Sequence, residues 1–123
     1  MIELNNFNKN RDEFACKCGC GLGTPDMDQS LLLRLDRARD LAGVPFTINS
    51  GIRCEQHNAA IGASMGSSHI AGYAADISAT DSRSRFKIIK ALIDVGFNRI
   101  GIHSRFIHVD NDPDKDREVV WDY

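Results

Sequence analysis

The chain predicts an α+β fold, three helices interleaved with short strands that end in an antiparallel hairpin. Apolar residues recur at three and four between Asp28 and Ala42 and again after Asp81, the period of an amphipathic helix. Around those stretches lie short apolar runs bounded by glycine, serine and proline, the signature of strands. At 123 residues, 42% hydrophobic and 26% charged, the sequence suits one globular domain spanning 1–123 with a single core.

Residues 1–27 read as an irregular, cysteine-containing N-terminal arm rich in turn formers. Thr24-Pro25-Asp26-Met27-Asp28 carries helix-start signals, with Thr or Asp as the cap. In the first helix Leu31, Leu32, Leu35, Ala38, Leu41 and Ala42 form the buried stripe, and Gly43 ends it. Arg34, Asp36, Arg37, Arg39 and Asp40 are expected mainly on the solvent side. Residues 45–50 read as a strand that turns at Ser50-Gly51 into Ile52-Arg53-Cys54. A second helix runs from Glu55 or Gln56 to Ile61, with His57 and Asn58 on its surface and Gly62 as its stop. Residues 62–68, rich in glycine and serine, form a loop. Asp81 caps a third helix whose stripe is Phe86, Ile88, Ile89, Ala91, Leu92, Ile93 and Val95, closed by Gly96. Residues 99–103 and 106–110 read as two strands joined at Ser104-Arg105, a hairpin of tight-turn length. Val119-Val120-Trp121 reads as an edge strand or a cover for the sheet, with Trp121 as a core lid rather than a substrate platform.

Charge and hydropathy remove several functional classes. A formal charge of -2 without a Lys/Arg stripe gives no electrostatic case for nucleic acid. No apolar run approaches the length needed to span a bilayer, so membrane insertion is not expected. Met1 to Phe7 lacks a basic region followed by an apolar core, so the expectation is synthesis in the cytoplasm without a signal peptide.

Chemistry concentrates in Ser67-Ser68-His69-Ile70-Ala71-Gly72-Tyr73-Ala74-Ala75-Asp76-Ile77. Two histidines and a carboxylate are the protein ligands that zinc enzymes use when one position stays open, and His108 is the second imidazole. On one helix His69 and Asp76 would lie roughly 10 Å apart along the axis, too far to share an ion. A loop at His69, a turn at Gly72 and a strand over 73–78 return Asp76 to the same point, and His108 then comes from a neighbouring strand. The hairpin also lets His103 and His108 face one cleft.

Cys16, Cys18, Cys20 and Cys54 leave three readings open. Without a signal peptide a disulfide framework is not the default, though packing or a disulfide formed after release fits. A four-thiolate zinc site is the second reading, against which C-x-C-x-C lacks the usual two-residue spacer. Redox chemistry is the third.

Ser67-x-His69-x-x-Gly72-x-Ala74-x-Asp76, the upstream Ser50-Gly51-Ile52-Arg53 and the downstream Phe106-Ile107-His108-Val109-Asp110 together resemble the zinc D-Ala-D-Ala carboxypeptidases, peptidase family M15. More closely, the chain resembles small M15A-type domains of bacteriophage and prophage genomes, and Phe14 to Gly21 is similar to the cysteine-rich opening of many of them. Several separated motifs agree in order, where a lone H-x6-D would be weak. The resemblance implies a small antiparallel sheet with helices packed on it, a fold shared with the Hedgehog signalling domain. It implies Zn2+ on His69, Asp76 and His108, Arg53 near the substrate carboxylate or carbonyl, and His103 as an additional active-site histidine. The implied substrates are peptidoglycan stem peptides, cut by a D-Ala-D-Ala carboxypeptidase or by an L-Ala-D-Glu endopeptidase of the kind some phage endolysins use. Such an enzyme acts on the cell wall after release from the host. The rival reading is a metal-bound module that binds cell wall or serves as a phage structural component without catalysis.

One position departs from the pattern. Many family members carry an acid three residues before the last zinc histidine as general base, and here that residue is Arg105. Arginine has no lone pair to accept a proton. Asp110 shares a strand face with His108 and is the leading substitute, with His103 and Glu118 behind it. Its alternative role is to orient His108 as a hydrogen-bond partner.

Overall fold

Five strands form one mixed sheet among the described residues of the computed structural model, which describes residues 4–7 and 11–123. Residues 1–3 and 8–10 of the expected N-terminal arm lie outside them. The strands are β1 (Ile48–Ser50), β2 (Ala74–Ser78), β3 (Arg99–Ile102), β4 (Phe106–Asp110) and β5 (Val119–Asp122), in the order β1-β2-β4-β3-β5. Neighbours are antiparallel except β3 and β5. The helices are α1 (Gln29–Ala42), α2 (Glu55–Ala60) and α3 (Ser82–Asp94). The expected α+β class, three helices and hairpin are present, and the tail adds an edge strand. That strand is parallel to β3 because residues 111–118 carry the chain from the end of β4 past the start of β3, so β5 enters the sheet at the end where β3 begins.

Alternation along the strands divides the sheet into two functional faces. Ala75, Ile77, Ile100, Ile107 and Val109 are buried on one face and join Leu31, Leu32 and Leu35 of α1 and Ile88 and Leu92 of α3 in the core. The intervening residues Asp76, His108 and Asp110 point the other way, with Arg99 and Trp121 on the same side. In the β2/β4 register Asp76 lies directly opposite His108. Helix ends follow their caps: Asp28 accepts the Leu31 N–H at 2.9 Å, Asp81 accepts the Ser84 N–H at 2.9 Å, and Gly43 adopts φ +69°.

The helix stripes are narrower than the sequence suggests. Leu41, Phe86 and Ile93 are exposed, not buried. At about 100° per residue, Phe86 and Ile93 lie roughly 120–140° around α3 from the Ile88-Leu92 line. Asp36 is the opposite correction, buried where solvent was expected. Its carboxylate accepts the backbone N–H groups of Asn5 and Asn6 at 2.9 to 3.1 Å, so it anchors the N-terminal segment across α1. Asp36→Ala removes the acceptor from these part-buried donors and is expected to cost about 1–3 kcal/mol of stability. A urea midpoint equal to that of the parent protein would refute this anchoring role.

Candidate metal centre

His69 reaches the site from an irregular segment held by backbone geometry. Gly72 adopts φ +80°, and a Cβ there would meet the Asp26 carbonyl oxygen at 2.7 Å, so only glycine lets the turn pack against the residues before α1. The Gly72 N–H closes the turn on the His69 carbonyl, which also accepts the Arg53 N–H at 3.1 Å. With Asp76 on β2 and His108 on β4, the three side chains converge. His69 Nε2 lies 3.2 Å and His108 Nδ1 2.9 Å from Asp76 Oδ1. Zinc ligands at about 2.05 Å subtending a tetrahedral angle are about 3.3 Å apart, so the spacing suits the ion.

The outer nitrogens determine what the inner ones present. His69 Nδ1 lies 2.7 Å from the Gly51 carbonyl oxygen, which only accepts, so Nδ1 carries the proton and Nε2 is bare. His108 Nε2 lies 2.7 Å from Asp110 Oδ2 and likewise donates, leaving Nδ1 bare. In their neutral forms the two imidazoles turn lone pairs toward one carboxylate in a buried site. A cation among them satisfies all three groups, and the residues fit zinc.

Ionisation equilibria reflect the same demand. Burial would raise the pKa of Asp76, but hydrogen bonds from His108 and His69 and their positive potential hold it well below the usual carboxylate range. Burial opposes the His108 imidazolium, yet hydrogen bonds to Asp110 and Asp76 prevail and raise its pKa. Asp110 is pulled down against its own desolvation by His108 and then Arg99. Without a cation, the raised pKa favours a second proton on His108, shared with Asp76 through Nδ1.

Arg53 is 7% exposed and stands at the same carboxylate. Its Nη2 is 3.9 Å from Asp76 Oδ2, while Nε donates to Ser50 Oγ and Nη1 to Asn58 Oδ1 at 2.9 Å. Burial lowers the Arg53 pKa, partly offset by Asp76. Asn58, expected on the helix surface with His57, is buried and also donates to the Ser64 carbonyl at 2.8 Å. A cavity of about 450 Å³ opens above the three donors, lined also by Arg53, Arg99, Trp121 and Tyr123. Trp121 is half-buried and leans over His108 at 5.5 Å between ring centroids. A Cβ on Gly101 would meet that indole at 2.7 Å, which explains the glycine opposite His108.

Other expected participants fall elsewhere. The His103 ring stacks on Phe106 at 4.3 Å, its Nδ1 accepts the Arg105 N–H, and it is outside the cavity lining. Arg105 and Glu118 are exposed, Glu118 at φ +58°, and neither lines the cavity. Asp110 is 1% exposed, with Oδ1 accepting from Arg99 Nε at 2.6 Å and from the Asp112 N–H, and Oδ2 from His108. Arg99, Asn58, Ser50 and the Gly51 carbonyl are functional neighbours that sequence reasoning missed. Arg99 and the Gly51 carbonyl act on partners 11 and 18 residues away, and Ser50 and Asn58 meet Arg53 because the turn into α2 brings all three together.

Two outcomes follow for metal affinity at this site. Asp110→Asn is expected to weaken zinc about 10–100-fold by releasing the His108 tautomer, and an unchanged affinity would contradict that role. Because zinc must displace a proton from His108, whose pKa is raised, affinity falls about tenfold per pH unit below that pKa. Chelator competition across about pH 5–8 measures this, and a flat profile would contradict it.

No curated protein matches the chain. The family model of peptidase M15, a family of zinc metallopeptidases, matches residues 6–110. That span runs from the N-terminal arm through all three converging donors to the end of β4, and the chain belongs to the peptidase M15 family.

Proposed function

We propose that the protein is a zinc-dependent hydrolase of peptidoglycan stem peptides, of D-Ala-D-Ala carboxypeptidase or L-Ala-D-Glu endopeptidase type. In this reading it is encoded by a phage or prophage and acts on the wall after release from the host cytoplasm. The observation that carries the proposal is the convergence of His69, Asp76 and His108 on the wall of a cavity that also holds Arg53. His69, Asp76 and His108 would hold the zinc, which would supply a Lewis acid for the scissile carbonyl and for water.

The chain's own residues bind and orient. Ser50 and Asn58 take one N–H each from Nε and Nη1 of Arg53, fixing the guanidinium plane and leaving further N–H groups for a substrate carboxylate. Arg99 and Lys115 add positive potential along the lining, which suits a peptide rich in free carboxylates. Trp121, Tyr123 and Phe106 give an apolar wall against which a short peptide excludes water. The engagement of both Asp110 oxygens supports a positioning role, holding His108 with its bare Nδ1 inward.

One observation favours a second reading. Asp76 and Asp110 are the carboxylates lining the cavity, both are already hydrogen-bonded, and Arg105 stands where an acid is usual. This arrangement suits a metal-bound module that grips wall peptides without cleaving them. Zinc-loaded protein, His108→Ala and Asp110→Ala incubated with isolated peptidoglycan distinguish the two. Release of amines by the parent protein and its loss in His108→Ala supports hydrolysis, with free D-alanine marking the carboxypeptidase and new amino termini the endopeptidase. No release from several wall chemotypes, with zinc retained and wall still bound, supports the module.

Arg53→Lys keeps the charge but loses the paired hydrogen bonds. The expected result is a KM raised about tenfold or more with kcat less affected, since a carboxylate held at a distance contributes mainly uniform binding. An unchanged KM would remove Arg53 from substrate recognition.

A further inference from the structure

We propose that Cys16, Cys18, Cys20 and Cys54 form a second, tetrathiolate zinc site that fastens the N-terminal arm to the segment carrying Arg53. The four Sγ atoms all lie within 4.8 Å of one another. Cys16 Sγ is 3.4 Å from Cys18 Sγ and 3.8 Å from Cys54 Sγ, and Cys18 to Cys54 is 3.5 Å. Four sulfurs at about 2.3 Å from a tetrahedral zinc are about 3.8 Å from each other. A disulfide requires about 2.05 Å and joins sulfurs in pairs, whereas here one sulfur has two neighbours at nearly equal distance.

The backbone explains how the alternating cysteines reach one point. Gly19 and Gly21 adopt φ +80° and +101°, left-handed conformations that curl the chain where an extended strand would carry Cys16 and Cys20 apart. The Cys16 N–H meets the Leu22 carbonyl at 3.0 Å and the Gly19 N–H meets the Cys16 carbonyl at 3.1 Å, closing the loop. These two turns replace the two-residue spacer that the sequence lacks. Backbone donors also point at the sulfurs: the Cys54 N–H lies 3.4 Å from Cys16 Sγ and the His57 N–H 3.3 Å from Cys54 Sγ. Such donors favour thiolate over thiol. Binding releases the four thiol protons to solvent and leaves a centre of net charge about -2, with zinc redox-inert.

Location gives the site a purpose. Cys54 follows Arg53 directly and caps α2, which carries Asn58. Phe14, two residues before Cys16, accepts the Ile52 N–H at 3.0 Å, and its backbone lies where a Cβ on Gly51 would stand, at 2.4 Å. The arm therefore braces both the Gly51 carbonyl that holds His69 and the loop that positions Arg53.

Elemental analysis of the full chain, purified under reducing conditions and desalted after zinc loading, tests this directly. The expectation is two zinc ions per chain in the parent protein and one in each of Cys18→Ser/Cys20→Ser and His108→Ala. Cys18 and Cys20 are exposed, so that double substitution leaves the hydrophobic core intact. Cobalt-substituted parent protein and His108→Ala should both show the intense thiolate-to-cobalt charge-transfer absorption, and the cysteine variant should lack it. One zinc per chain that disappears with His108→Ala, with no charge-transfer band in the parent protein, would overturn the proposal while leaving the hydrolase reading standing. So would an intact mass showing two disulfides in zinc-loaded protein.

Discussion

Two imidazole lone pairs facing one buried carboxylate is the constraint on which the rest of the structure depends. Each outer nitrogen is committed to an acceptor, the Gly51 carbonyl for His69 and Asp110 for His108, so neither ring can relieve the conflict by changing tautomer without breaking a short hydrogen bond. Burial denies water the chance to screen it. A dication satisfies all three donors at once, which is why a site that is unfavourable as isolated polar groups is coherent as a metal centre.

The sheet delivers this arrangement through register. Asp76 faces His108 because β2 pairs with β4, and a slip of one residue would exchange them for Ala75, Ile77, Ile107 and Val109 and bury the charges in the core. The hydrophobic face packed on α1 and α3 therefore specifies the chemistry on the opposite face. Glycines act where side chains would obstruct: Gly72 lets the His69 turn lie against residues 26 and 27, and Gly101 leaves room for Trp121. Salt bridging by Arg99 to Asp110 extends the network to β3, so three of the five strands contribute to orienting one histidine.

Much of this was legible in the sequence, for reasons that also mark the limit. Helical periodicity located α1 and α3 because their stripes pack on one core, whereas α2, whose one buried residue is Asn58, carries no such stripe, and Gly72 between His69 and Asp76 argued for a turn followed by a strand. The family motif pointed to the same three donors. What stayed hidden depended on how the folded chain closes around each side chain. Asp36 looks like a solvated charge until the backbone of Asn5 and Asn6, 31 and 30 residues away, crosses it, and Asn58 looks exposed until Arg53, five residues before it, turns toward it. Phe86 and Ile93 show the converse, apolar residues that periodicity alone assigned too generously to the core. The alternating cysteines gather at one point because left-handed glycines lie among them, which their spacing alone does not show.

Anomalous diffraction at the zinc edge from crystals of the zinc-loaded protein tests the central claim most directly. The account predicts a peak about 2.0–2.2 Å from His69 Nε2, an Asp76 oxygen and His108 Nδ1, with His108 Nε2 still donating to Asp110. A map with no peak among these atoms, or one in which His108 binds through Nε2 with Asp110 as the carboxylate ligand, would contradict it.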